Sequence, residues 1–146
     1  MELFRPDLRG DFLYMDLDTV IVGPLDDFEG INRLTILRDF YRDGKRLKEG
    51  LQSSLMFLPE SQRRPPWDDF TVNPALSMAL HRGGGDQSLL EPHYIHSADR
   101  WQDVLPGQVV SWKVNCAHGV PPNARVICMH GKPRPWQVGQ FFNLYR

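Results

Sequence analysis

The segment Phe12-Leu13-Tyr14-Met15-Asp16-Leu17-Asp18-Thr19-Val20 decides how the chain is read. Four consecutive apolar residues, 12–15, have the character of a strand with both faces covered, because a half-exposed strand would alternate. A strand over residues 11–15 is therefore expected at the centre of a sheet. It delivers two acids at i and i+2, and a second apolar, β-branched run over 19–22 follows before Gly23-Pro24 turns the chain. On an extended strand end this spacing puts both carboxylates on one face, about 7 Å apart between α-carbons. Acids beside such apolar runs need compensation, and a divalent cation is one natural source of it. The pair alone is a weak signal: with thirteen aspartates, about one Asp-x-Asp arises by chance, and a solvated turn or a capping role accounts for it equally well. Its setting adds weight, since open α/β sheets bind ligands where strands emerge.

Working outward, two more strands are expected at residues 34–38 and 54–58, joined by a polar loop turning at Asp43-Gly44. Pro65-Pro66 opens a segment of helical character that Pro74 divides in two. Gly83-Gly84-Gly85 reads as a flexible hinge before a short helix over 86–91, with Asp86 at the end where a carboxylate suits the helix dipole. Strands near 109–114 and 125–129 follow, then a proline-punctuated loop over 130–135 and a short helix over 136–145. The alternation of short strands and helices indicates an α/β fold.

The 146 residues are enough for one domain with one sizeable core, taken as 1–146. A composition of 41% hydrophobic and 24% charged residues is that of a globular protein, and twelve glycines and twelve prolines indicate long loops. A net charge of −1 gives no general attraction to nucleic acid or acidic membranes. No apolar run approaches the roughly 18 residues that a membrane span needs, and residues 1–10 lack the features of a signal peptide, so a cytoplasmic address is expected. Cys116 and Cys128 match no zinc or redox spacing and are expected to be reduced.

Charge is unevenly distributed. Twelve of the 18 acids lie in residues 1–60, whereas no acid follows Asp103 and the last stretch carries Lys113, Arg125, Lys132, Arg134 and Arg146. The two halves either meet at one site or reflect ordinary surface variation. Within the basic stretch, residues 126–129 form an apolar strand that delivers His130, followed by Gly131, Lys132, Pro133 and Arg134. A histidine at a strand end, a glycine allowing close backbone approach and two cations suit a metal-bound diphosphate; a partly exposed histidine in a basic surface loop is the plainer reading. His81, His93, His96 and His118 lack that setting and read as surface or structural residues.

Taken together, Phe4-Arg5-Pro6-Asp7-Leu8, Phe12 through Asp18, and Gly23-Pro24-Leu25 resemble a stretch of the GT-A-fold glycosyltransferases, in the glycogenin-like and lipopolysaccharide galactosyltransferase-like superfamily. Three further stations stand in that family's order: Ser53-Ser54-Leu55-Met56-Phe57, Gly85-Asp86-Gln87, and Cys128 through Trp136. The resemblance implies a mixed sheet flanked by helices. It also implies Asp16, Asp18 and His130 as ligands of Mn²⁺ or Mg²⁺, with Lys132 or Arg134 as partner of the diphosphate of a nucleotide sugar such as a UDP-hexose. It further implies that Asp86 and Gln87 lie by the donor sugar or the acceptor, and that Ser53 or Ser54 stands beside the transferred sugar. The compact His130-Gly131-Lys132-Pro133-Arg134-Pro135-Trp136 departs from the family's more widely spaced pattern, which leaves the choice of diphosphate cation open.

The chemistry is physically coherent, because charge builds on the leaving diphosphate as the glycosyl–phosphate bond breaks, and fixed positive charge stabilises it. The implied activity is transfer of a hexose to an acceptor, with retention of configuration. Family members are longer and begin with a strand–helix–strand unit that cradles the base. Here Met1 through Arg5 read as the helix just before the central strand, so the chain is expected to be the C-terminal, metal-and-acceptor portion of such an enzyme, truncated at its N-terminus. A non-catalytic remnant acting as a binding module, oligomeric through an uncovered sheet edge, is the competing expectation. A metal-dependent phosphoester hydrolase would want more ligands than can be assigned.

Overall fold

The structure, a computed structural model, describes residues 1–41 and 50–141. Among the described residues, seven strands form two sheets. The first contains β1 (Phe12–Met15), β3 (Thr35–Arg38), β4 (Leu51–Leu58) and β5 (Asp99–Arg100), in the order β1-β4-β3-β5. The second contains β2 (Thr19–Ile21), β6 (Val109–Ser111) and β7 (Val126–Cys128), in the order β2-β7-β6. Strand β4 pairs antiparallel with both β1 and β3, while β5 lies parallel to β3. In the second sheet β2 is antiparallel and β6 parallel to β7. The mixed α/β architecture agrees with the sequence reading.

The expected centre of the first sheet is displaced. β1 is an edge strand with β4 as its hydrogen-bonded neighbour, and its Leu13 is 40% exposed. The central position belongs to β4, which is buried along nearly its whole length. An apolar run shows that both faces of a strand meet side chains; it does not count hydrogen-bonded neighbours. Phe12 and Tyr14 pack into one core cluster and Met15 into another, which satisfies the apolar pattern from an edge.

Alternation along β3 and β4 divides the core. Ile36 and Met56 turn to the side covered by helix α3 (Gly85–Tyr94), where Leu89, Leu90 and Tyr94 join them. Leu37 and Leu55 face the other way, against Val109, Val126 and Cys128 of the second sheet. A third cluster, with Val20, Val110, Ile127 and Met129, covers the far side of that sheet.

Proline divides α1 (Pro65–Val72) from α2 (Pro74–Leu80) as expected, and Asn73 caps α2 by accepting the Leu76 amide at 3.0 Å. None of α2 is buried, and its Leu76, Met78 and Leu80 are exposed. Helix α3 runs past the expected end at residue 91, because Pro92 removes one amide without stopping the turn and Tyr94 gains a buried position. The short β5 and the single-turn helix α4 (Trp101–Val104) carry no strand or helix signature in sequence. They are held from outside: Asp99 N–H donates to Leu34 O at 2.9 Å, and the fully buried Trp101 donates Nε1–H to Leu55 O at 3.1 Å. Another single turn, α5 (Trp112–Asn115), replaces the end of the strand expected over 109–114. The segment after residue 134 forms a 3₁₀ turn, Pro135–Gln137. The turn Asp43-Gly44 and the end of the helix expected over 136–145 lie outside the described residues. Both cysteines are buried free thiols, and burial pushes Cys128 up to about 12.

Arg63 carries weight that its sequence context does not announce. It is 2% exposed, its guanidinium lies 4.2 Å from the Phe12 ring centroid, and it donates to the carbonyls of Gly10, at 2.5 Å, and Leu8. Those carbonyls belong to the irregular approach to β1, so a side chain supplies the donors that no strand supplies. Arg63→Met keeps the volume but removes the donors and the charge over Phe12. Equilibrium urea unfolding is expected to show a loss of about 2–4 kcal/mol, and a loss under about 1 kcal/mol would rule out this anchoring role.

Candidate active site

The site is assembled where the chain passes from one sheet to the other. Asp16 N–H donates to Ser54 O at 2.9 Å, extending the β1–β4 ladder by one step, and Thr19 N–H closes a turn on Asp16 O at 3.0 Å. β2 then starts in the second sheet, where Asp18 O accepts from Met129 N–H at 3.2 Å. Leu17, at the turn, is 83% exposed. The two acids thus share a side through a tight turn instead of an extended strand end.

Opposite them, β4 departs from regular pairing. Ile36 is in register with Met56 but the next residue, Leu37, is in register with Gln52, so residues 53–55 form a bulge with no partners on β3. In an unbroken strand, neighbouring side chains point to opposite faces. The bulge permits Gln52, Ser53 and Ser54 all to line the same cleft. Helix α3 begins beside this bulge. Ser53 Oγ–H donates to Asp86 Oδ2 at 2.9 Å, and Gln87 Nε2–H donates to Leu51 O at 2.7 Å, which ties the first turn of the helix to the strand.

The fourth wall comes from the end of β7. His130 has φ +51° and Gly131 φ +86°, so two successive left-handed residues fold the loop back over the cleft. Lys113 Nζ–H donates to His130 O at 2.6 Å and fixes this turn. The cleft has a volume of about 410 Å³, and Asp16, Asp18, Asp86, His130, Gly131 and Arg134 complete its lining with the four residues of β4 and α3 named above. The volume is within the usual range for a small-molecule site.

The electrostatics follow from burial. Asp16 accepts the Tyr14 hydroxyl at 2.7 Å. Burial raises its carboxyl above the ordinary carboxylate range, with the Tyr14 bond opposing and Asp18 and Asp86 reinforcing the rise. Tyr14 is itself shifted upward, first by burial and then by Asp16, and stays a donor. Asp18 is 9% exposed, and its carboxylate is paired with the Arg134 guanidinium. Burial pushes His130 down to about 4, with Asp18 and Asp39 opposing and Lys113 assisting. Its imidazole is therefore neutral near pH 7.

Of the residues anticipated from sequence, Asp16, Asp18, Ser53, Ser54, Asp86, Gln87, His130 and Arg134 all line the cleft; Lys132 is exposed and does not. Sequence reasoning missed Tyr14, Gln52 and Lys113. Tyr14 precedes Asp16 by two residues, which is the spacing for a shared strand face; Gln52 is a polar residue in an apolar strand next to Ser53; Lys113 carries no local signal. The acid-rich and base-rich parts of the chain meet here, in the pairing of Asp18 with Arg134.

Two carboxylates and a neutral imidazole are a donor set that Mn²⁺ accepts and Mg²⁺ accepts in part. Among the described residues, His130 Nε2 is a buried nitrogen without a hydrogen-bond partner. Among the described residues, however, no three His, Cys, Asp or Glu side chains are clustered so as to hold an ion. The positive charge against Asp18 is the Arg134 guanidinium, which an ion bound to both aspartates would displace.

No family profile matches the chain, and no curated protein does. Among solved structures, the glycosyltransferase GlyE of Streptococcus pneumoniae TIGR4 aligns with 99% of the chain at a TM-score of 0.60 and 20% identity. Its apo form aligns over the same share with the same TM-score and 18% identity. The fold is glycosyltransferase-like. The chain spans 41% of the length of the GlyE chains.

The depressed His130 pKa has a measurable consequence. The unfolded chain takes up this proton near 6.5 and the folded chain near 4. The histidine's contribution to stability is therefore fully present above 6.5 and is lost as pH falls through that window. The His130 Cε1–H resonance is expected to titrate near 4, and His130→Gln is expected to flatten the loss of stability between pH 6.5 and 4. A resonance titrating near 6.5 would show an imidazole that is not desolvated.

Proposed function

We propose that residues 1–146 carry the metal-site and acceptor portion of a retaining glycosyltransferase, which moves a hexose from a nucleotide diphosphate sugar to an acceptor. The observation that carries this reading is the convergence of four sequence-distant stations, Asp16 with Asp18, residues 52–54, Asp86 with Gln87, and His130 with Arg134, on one polar cleft of a glycosyltransferase-like fold.

In this reading Asp16, Asp18 and His130 would hold Mn²⁺ or Mg²⁺ only by drawing together, since they are not clustered around an ion position here; the ion would supply positive charge for the leaving diphosphate. Arg134 is the diphosphate cation in preference to Lys132, because it already lies in the cleft. With Asp18 engaged elsewhere, its guanidinium is free to turn onto a phosphate oxygen in bidentate fashion. Asp86 is held by Ser53 with one oxygen and accepts the Gln87 amide at 3.0 Å with the other, so its carboxylate is oriented toward the sugar or the acceptor hydroxyl. Tyr14 fixes Asp16 from the side away from the ligand. Among the described residues no helix is long and apolar enough to cross a membrane.

A binding module without turnover is the second reading. It is favoured by the Asp18–Arg134 ion pair, which closes the acid pair with an internal cation.

Calorimetric titration of Mn²⁺, UDP and UDP-hexoses, alongside an assay of UDP release, separates the two. The transferase reading expects UDP to bind more tightly with Mn²⁺ present and UDP-hexose to be slowly hydrolysed or transferred. Asp18→Ala is expected to weaken Mn²⁺ by roughly tenfold or more, by analogy with the effect of losing a metal-site group. Mn²⁺-dependent nucleotide binding without turnover selects the binding module. Mn²⁺ binding with no affinity for UDP or UDP-hexose overturns the transferase reading for this chain, and unchanged metal affinity in both Asp16→Ala and His130→Ala overturns the shared site.

A further inference from the structure

Asp86 borders two spaces. One is the polar cleft; the other is a cavity of about 340 Å³ lined by Met1, Phe70 of α1, Met78 of α2, His81 and Leu89 of α3. Asp86 is the residue they share. The cleft is walled by acids, amides and hydroxyls, whereas the cavity is walled mainly by apolar side chains.

The cavity follows from how three helices are joined. Pro74 ends α1 and starts α2, and the glycines after α2 return the chain into α3. Gly84 and Gly85 both donate N–H to His81 O, at 3.2 and 2.8 Å, and Gly85 takes φ +58°. His81 Nδ1 lies 2.9 Å from Ser88 Oγ, which holds the ring in place. Leu89 belongs to the first core cluster, and Met1 and Phe70 pack against that cluster, so one wall of the cavity is core. Met78 lines the cavity and is 66% exposed, so the cavity reaches solvent there. Arg82 and Asp86, which also line it, are exposed and put charge at its outer side.

An apolar cavity of about 150 Å³ is large enough to take up benzene, and this one is larger. Beside it, Asp86 accepts from Ser53 Oγ–H with one oxygen and from the Gln87 amide with the other. Each carboxylate oxygen keeps a second lone pair for a ligand hydroxyl. Arg134, the cation suited to phosphate, lines the cleft but not the cavity. The two spaces together therefore fit a molecule with a hydroxyl at Asp86 and an apolar group beyond it. We propose that the cavity is an aglycone subsite: it holds the apolar group, of the size of a substituted phenyl ring, of a glycoside whose sugar hydroxyl meets Asp86. That this glycoside is the acceptor rests on the transferase reading; binding of its apolar group does not.

Spectra of the full chain with ¹³C-methyl methionine read the cavity directly, because Met1 and Met78 line it and Met15, Met56 and Met129 do not. Met78→Leu assigns the Met78 signal. Phenyl β-glucoside and phenyl β-galactoside are expected to shift that signal saturably. Their affinity is expected to exceed that of the corresponding methyl glycosides by roughly tenfold or more, since one methylene in an apolar pocket is already worth about that. Met78→Glu, at an exposed position, is expected to remove most of this preference in calorimetric titrations. A Met78 signal that neither phenyl glycoside moves overturns the subsite without any variant having to fold. Movement with UDP alone also overturns it, by giving the cavity to the nucleobase. Equal affinity for phenyl and methyl glycosides in a chain that releases UDP from UDP-hexose overturns the subsite and leaves the transferase standing. Phenyl glycosides that bind as expected to a chain without affinity for UDP or UDP-hexose overturn the acceptor role and leave the cavity as a site for apolar glycosides.

Discussion

The turn at residues 16–18 belongs to both sheets. Asp16 closes its backbone hydrogen bond on β4 of the first sheet, and Asp18 closes its own on the end of β7 in the second. These two bonds fix the separation of the sheets at the point where every other functional element arrives: the bulge of β4, the first turn of α3 and the loop after β7. A change in either bond would move the two acids relative to Ser53 and His130 together.

Charge is the second constraint. Asp16, Asp18 and Asp86 face one partly desolvated cleft, and carboxylates there repel one another unless positive charge is supplied. Arg134 supplies it at Asp18, and the Tyr14 hydroxyl moderates it at Asp16.

Much of the site was legible because it rests on local features: acids at a strand exit, a histidine at a strand end, an acid at a helix start. The strands 19–21, 35–38 and 126–128 were legible for the same reason, as β-branched and apolar runs. What escaped was set by distant partners. The edge position of β1 depends on which strands lie beside it, and the same four apolar residues would suit either place. β5 exists because Leu34 offers a carbonyl to Asp99 and a pocket for Trp101 waits beyond it. Gln52 and Lys113 act on His130 across 78 and 17 residues of sequence, respectively, so no window around His130 contains both. Lys132 and Arg134 show the limit of spacing as a guide: two residues apart in a loop, they face different surroundings, one solvent and the other Asp18.

Arg63 reaches the segment before β1 through backbone carbonyls, which every amino acid possesses. Recognition of this kind does not depend on side-chain identity at the recognised position. The bond to Leu8 therefore survives exchange of the Leu8 side chain but not loss of the Arg63 guanidinium, whereas Gly10, at φ +82°, is restricted by its own backbone. The hold on Leu8 is recorded some fifty positions away, in a residue that from its Arg-Arg-Pro-Pro surroundings resembles ordinary surface charge.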